Sequence, residues 1–175
     1  SSTTTKMLIG LTRKRDHLRL STQGRSTMRI ERTGYFYAAH RNQHLRGDKC
    51  HSLHGHTYYV TACFNVGEEA DDGVTVLFSE IETHLSHMTD RLDHSILCDS
   101  NDSALVMAMK LLTTQDMSAH KIVYFDGPTS AELLARWLFE GLTNCLLDVE
   151  WVRLRETQSS TVVYRKADHE KLQSQ

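Results

Sequence analysis

Proline is almost missing from this chain of 175 residues; Pro128 is the single one. Net charge is nearly missing as well, at a formal −2. No overall field therefore recruits nucleic acid or a membrane surface. No apolar run approaches the roughly 18 residues that read as a membrane span. Cysteines are few: Cys50, Cys63, Cys98 and Cys145 form no CxxC pair and no small-domain spacing. That excludes a disulfide framework and implies a reduced, cytoplasmic setting. A glycine-rich phosphate cradle is also lacking. What remains is ordinary globular material, 39% hydrophobic and 24% charged, long enough for one domain with a proper core.

Histidine is the exception. Five of the eleven fall between positions 40 and 56, three of them with a cysteine inside KCHSLHGHTYYV. Ahead of this cluster, residues 1–27 carry Lys6, Arg13, Lys14, Arg15, Arg19 and Arg25 against one acid, Asp16. The segment reads as a flexible or loosely docked extension, although Arg-rich, acid-poor sequence also suits an organelle transit peptide. The expected domain then spans 28–168, with 169–175 as a tail.

Within it, RIERTGYFYAAH and HTYYVTACFNV read as strands by their period of two. GEEADDG is expected to turn into VTVLF as a hairpin. SEIETHLSHMTDRL carries Ile81, Leu85, Met88 and Leu92 at helical spacing, with Ser79 and Glu82 as a capping box. Residues 103–112 read as helix, KIVYF as a short strand, and TSAELLARWLFEGLTNCLL as a helix capped by Thr129 and Glu132. WVRLRET and STVVYR close the chain as a hairpin. The order predicts an α+β domain: a four-stranded antiparallel sheet with its helices packed on one face.

Two apart on a strand, His54 and His56 project from one face, about 6–7 Å apart at Cα. His40 ends the preceding strand and supplies a third ligand if the two strands pair. Three neutral histidines with an open fourth position describe a catalytic zinc. Cys50 is either a fourth ligand, which closes the site, or a nucleophile or base whose pKa Lys49 and the metal lower. Asp93 and His94 follow the first helix; on an extended segment adjacent side chains point opposite ways, so they do not form a dyad by sequence alone. Glu156 shares a strand face with Val152 and Leu154, where a carboxylate needs a partner.

Taken in order, FYAAH, CHSLHGHTYYV, LDHSILCD, SAELLARWL and RETQSSTVVY resemble the 6-pyruvoyl-tetrahydropterin synthase family over roughly residues 29–165. The three-residue interval between Cys50 and His54 resembles its bacterial branch, the 6-carboxy-tetrahydropterin synthases of 7-deazaguanine (queuosine) biosynthesis. The resemblance implies zinc on His40, His54 and His56, catalytic roles for Cys50, Asp93 and His94, and a pterin-anchoring Glu156. It implies a pterin pocket along Ser130, Ala131 and Glu132, although the capping box explains Glu132 equally well. His51 stands where relatives often carry a small residue, and His44, His84 and His87 match nothing in the pattern. The implied substrate is a pterin triphosphate, with Arg41, Arg46 and Lys49 as candidate phosphate contacts. The implied fold is the tunnelling fold, whose sheets join into a barrel in a homo-oligomer, here a hexamer built as two trimers. The alternatives are a pyruvoyl-forming enzyme and a non-catalytic, zinc-stabilised pterin-binding oligomer.

Overall fold

The structure is a computed structural model describing residues 28–67, 74–116, 120–145 and 147–174. The expectations for residues 1–27 and for the turn at 68–73 lie outside the described residues. Along the chain run β1 (Arg29–His40), a single 3-10 turn (Lys49–His51), β2 (His54–Asn65) and α1 (Phe78–Leu92). There follow β3 (Ser95–Asp99), α2 (Ser103–Asp116), β4 (Ile122–Phe125), α3 (Ala131–Thr143), β5 (Val149–Arg155), β6 (Thr161–Arg165) and α4 (Lys166–Gln173). Helix α4, not expected from the sequence, crosses the boundary drawn at 168.

The α+β class is as expected, but the described strands form a six-stranded mixed sheet in the order β4-β3-β1-β2-β5-β6, not a four-stranded antiparallel one. The four antiparallel strands are present as β1, β2, β5 and β6. β3 and β4 extend the β1 edge in parallel, and SILCD is the strand that the sequence reading left unassigned. VTVLF does not form a hairpin strand: residues 74–77 bend into α1. β2 has no free edge for it, because β1 pairs along one side and β5 along the other.

Alternation along β1 and β2 puts Phe36, Ala38, Tyr58, Val60, Ala62 and Phe64 on one face, all buried. Helix α1 covers that face with Ile81, Leu85, Met88 and Leu92, and α3 with Leu134, Leu138, Phe139 and Leu142. The two helices approach closely at Gly141, where a Cβ would overlap the Met88 side chain. Each fully buried aliphatic side chain contributes about 1.5–3 kcal/mol of transfer free energy. Helix α2 breaks the expectation of a one-faced helical layer. Leu97 of β3 joins the main core, while its neighbour Cys98 packs with Leu105 and Met109 of α2. Adjacent strand residues face opposite ways, so α2 lies on the other side of the sheet.

Neither expected capping box forms. Helix α1 begins one residue earlier, with Leu77 as an N-cap that makes no side-chain bond, and Glu82 pairs with Arg32 at 2.7 Å. The cap of α3 is Ser130, whose hydroxyl accepts from Leu133 N–H. Thr129 is thereby outside the helix and Glu132 is free of any capping duty. Among the described residues no helix is long and apolar enough to cross a membrane.

Candidate metal centre and its cavity

β1 and β2 pair without a break from Arg29 opposite Asn65 to His40 opposite His54, and His56 stands opposite Ala38. All three histidines share the face that buries Phe36, Tyr58 and Val60, so the trio sits at the open end of the core. Their ligand atoms lie within 4.8 Å of one another. His40 Nδ1 bonds the Thr129 carbonyl at 2.6 Å, and His54 Nδ1 bonds the Ser52 carbonyl at 2.7 Å. A carbonyl only accepts, so each ring carries a proton on Nδ1, which leaves Nε2 as the nitrogen able to serve as a ligand. His40 Nε2 is buried and makes no hydrogen bond. Burial pushes the pKa of His40 and of His56 below the ordinary value, which keeps both rings neutral. An orphaned, buried imidazole nitrogen beside two more is a donor set that fits a zinc-type metal ion.

The β1–β2 connection folds back so that Asn42 N–H bonds the Cys50 carbonyl at 2.9 Å. Asp48 caps the 3-10 turn, its carboxylate accepting from Cys50 N–H at 2.8 Å. The same carboxylate, charged and beside the thiol, pushes the Cys50 pKa up, burial adding to it. Of the two groups expected to acidify the thiol, Lys49 and a metal, Lys49 does act in that direction, but Asp48 outweighs it. Arg41 is equally committed. Its guanidinium makes a bidentate pair with buried Asp102 at 2.6 and 2.8 Å, which leaves the phosphate contact considered for it without support.

Cys50 and His40 open onto a cavity of about 400 Å³ whose wall includes Ser130, Ala131, Glu132 and Glu156. Glu156 follows directly on β5. Tyr58 donates its hydroxyl proton to Glu156 Oε1 at 3.1 Å. Burial pushes the Tyr58 pKa far up, and the Glu156 charge adds to this, so the hydroxyl remains a donor.

Asp93 and His94 do form a dyad, with His94 Nδ1 2.7 Å from Asp93 Oδ2. The geometry an extended segment denies them comes from the left-handed backbone of His94, φ 53°. Tyr37 latches both residues to β1: its N–H donates to Asp93 Oδ1 at 2.8 Å, and its carbonyl accepts from His94 N–H at 2.7 Å. Burial opposes ionisation of Asp93, but the hydrogen bonds from Tyr37 N–H and His94 win and hold its pKa below the usual range. The His94 ring packs edge-on against Tyr37, whose side chain lies on the sheet face opposite the trio. Within one chain, then, the dyad is not part of the cavity wall that carries Cys50 and Glu156. It borders a second depression with Tyr37, Gly55, His56 and Ser95.

Sequence reasoning missed Tyr58, Asp48 and the Arg41–Asp102 pair. Tyr58 was legible as the next same-face residue after His56, and Asp48 as an N-cap residue two before the cysteine. Asp102, 61 residues from Arg41, left no local trace.

A family model described as 6-pyruvoyl tetrahydropterin synthase matches residues 29–167. A Pyrococcus abyssi protein provisionally named 6-carboxy-5,6,7,8-tetrahydropterin synthase is 29% identical over 133 residues, covering 73% of this chain and 82% of its own. Among solved structures, an uncharacterised Wolinella succinogenes protein superposes with TM-score 0.65 at 18% identity, covering 81% of this chain and 99% of its own. The 6-pyruvoyl tetrahydropterin synthase of Caenorhabditis elegans superposes with TM-score 0.58 at 20% identity, covering 80% and 96%. At these identities the two superpositions carry the fold alone.

Proposed function

Because this chain belongs to the 6-pyruvoyl tetrahydropterin synthase family, we propose that it is a zinc-dependent 6-carboxy-5,6,7,8-tetrahydropterin synthase. It would convert 7,8-dihydroneopterin triphosphate to 6-carboxytetrahydropterin, releasing acetaldehyde and triphosphate, in 7-deazaguanine biosynthesis. The observation that carries this reading is the convergence of His40, His54 and His56, with His40 lining the same cavity as Cys50. Zinc bound there supplies Lewis acidity toward the hydroxyls of the substrate side chain.

The protein's own groups then have separate tasks. Cys50, once deprotonated, takes the carbon-bound proton next to those hydroxyls. Glu156 and the segment Ser130–Ala131–Glu132 orient the pterin by accepting from its ring N–H and exocyclic amine. His94, with its Nδ1 held by Asp93, offers Nε2 to move protons to and from the substrate. Since the dyad faces away from its own chain's cavity, it would serve the cavity of a neighbouring subunit. That arrangement accords with a homo-oligomer, proposed as a hexamer of two trimers.

The runner-up is the pyruvoyl-forming reaction, in which the side-chain carbons are retained. Incubation of zinc-loaded protein with 7,8-dihydroneopterin triphosphate separates the two. Acetaldehyde together with the mass of the carboxypterin is the expected result. A pyruvoyl product transfers the same site to the runner-up, and zinc and pterin binding without any product would leave only a binding protein.

A further inference from the structure

Glu156 stands closer to the histidines than a substrate anchor needs to. Its Oε1 lies 3.3 Å from His40 Nε2 and 3.8 Å from His56 Nε2. The first contact is not a hydrogen bond, since His40 Nε2 has no partner of that kind. Zinc holds imidazole nitrogen at about 2.0–2.1 Å and carboxylate oxygen at about 2.0–2.2 Å, so tetrahedral ligand atoms stand about 3.4 Å apart. Glu156 Oε1 keeps that spacing from His40 and stands slightly beyond it from His56, while His54, the third of the trio, makes no such close contact with it. A carboxylate bound to the far edge of a pterin would instead be a whole bicyclic ring away from the hydroxyls that the metal takes. Both duties cannot be performed from one position.

We infer that Glu156 is a fourth ligand of the metal in the substrate-free protein, closing the position that His40, His54 and His56 leave open. The inference rests on the metal centre proposed above and adds a resting state to it. Tyr58 is the positioning residue of that state. Its hydroxyl donates to Glu156 Oε1, as partners of ligating carboxylates do, and its ring packs edge-on against His40 and His56. A pterin whose hydroxyls reach the metal displaces the carboxylate, which is then released to accept from the pterin's own donors.

Cobalt(II) substituted into the full chain reads the ligand set directly, by its visible absorption and by its affinity in competition with a chelator. Glu156→Gln is expected to change the visible band and to weaken cobalt binding by about tenfold or more. Tyr58→Phe, which retains the carboxylate, is expected to move both in the same direction by less. An unchanged band and affinity in Glu156→Gln overturn the inference while leaving the three-histidine centre intact. Should Glu156→Gln fail to fold, Tyr58→Phe decides: an altered band supports the inference and an identical one overturns it. Failure of the unaltered protein to bind cobalt removes the metal centre itself, and this inference with it.

Discussion

Two residues before Cys50, Asp48 sets the state of the thiol. The carboxylate accepts from the backbone N–H of Cys50, and a thiol next to a fixed negative charge gives up its proton late. Asp48→Asn therefore lowers the thiol pKa. Alkylation of Cys50 by iodoacetamide at pH 7, followed by mass, is expected to speed up several-fold, and its pH midpoint to move down. An unchanged profile would mean that Asp48 serves the turn alone. Cys50→Ala addresses the other possible role of the cysteine. With three imidazoles already converging nearby, the variant is expected to keep its metal while losing turnover; metal analysis reporting loss of zinc would make Cys50 a ligand.

At the scale of elements, the loop that carries Cys50 is tied to the start of α2. Asp102 accepts from Leu105 N–H at the helix N-terminus and holds Arg41 with the same carboxylate. The Arg41 guanidinium keeps the Asp102 pKa below its ordinary value, although burial opposes it. A carboxyl depressed in the folded state contributes stability that is present above its unfolded pKa and lost as pH falls through the folded one. Asp102→Asn leaves Arg41 without its counter-charge and is expected to cost about 3 kcal/mol in urea unfolding at pH 7. The gap between the two proteins should narrow as pH falls below about 4; a gap independent of pH would assign the loss to packing. Strand β3 matters for the same reason. It delivers Asp99, which accepts from Gln43 at 3.1 Å, to the other side of that loop.

Over the whole molecule, the sheet carries its histidines on one face and the Asp93–His94 dyad toward the other. Tyr35, Tyr37 and Tyr59 are exposed on that second face. Shared sites follow if copies assemble so that one chain's dyad meets another's cavity. Cys50→Ala and His94→Ala are each expected to be inactive alone, and then to regain activity when unfolded together and refolded as mixed oligomers. No recovery, with mixing verified by native mass, would confine each site to one chain.

The pairing of His54 with His56 was legible because the period of a strand is a local property, and so was the apolar stripe of α1. His40 needed only the antiparallel pairing of two neighbouring strands. What the sequence alone could not decide were choices between distant partners. Whether VTVLF or β5 pairs with β2, which side of the sheet α2 covers, and whether Arg41 meets phosphate or Asp102 all depend on residues tens of positions apart. The dyad makes the same point at closer range: Asp93 and His94 are neighbours in every conformation, yet they meet only because β1 holds the His94 backbone in a left-handed turn. Local periodicity determined the histidine face, and long-range packing decided what surrounds it.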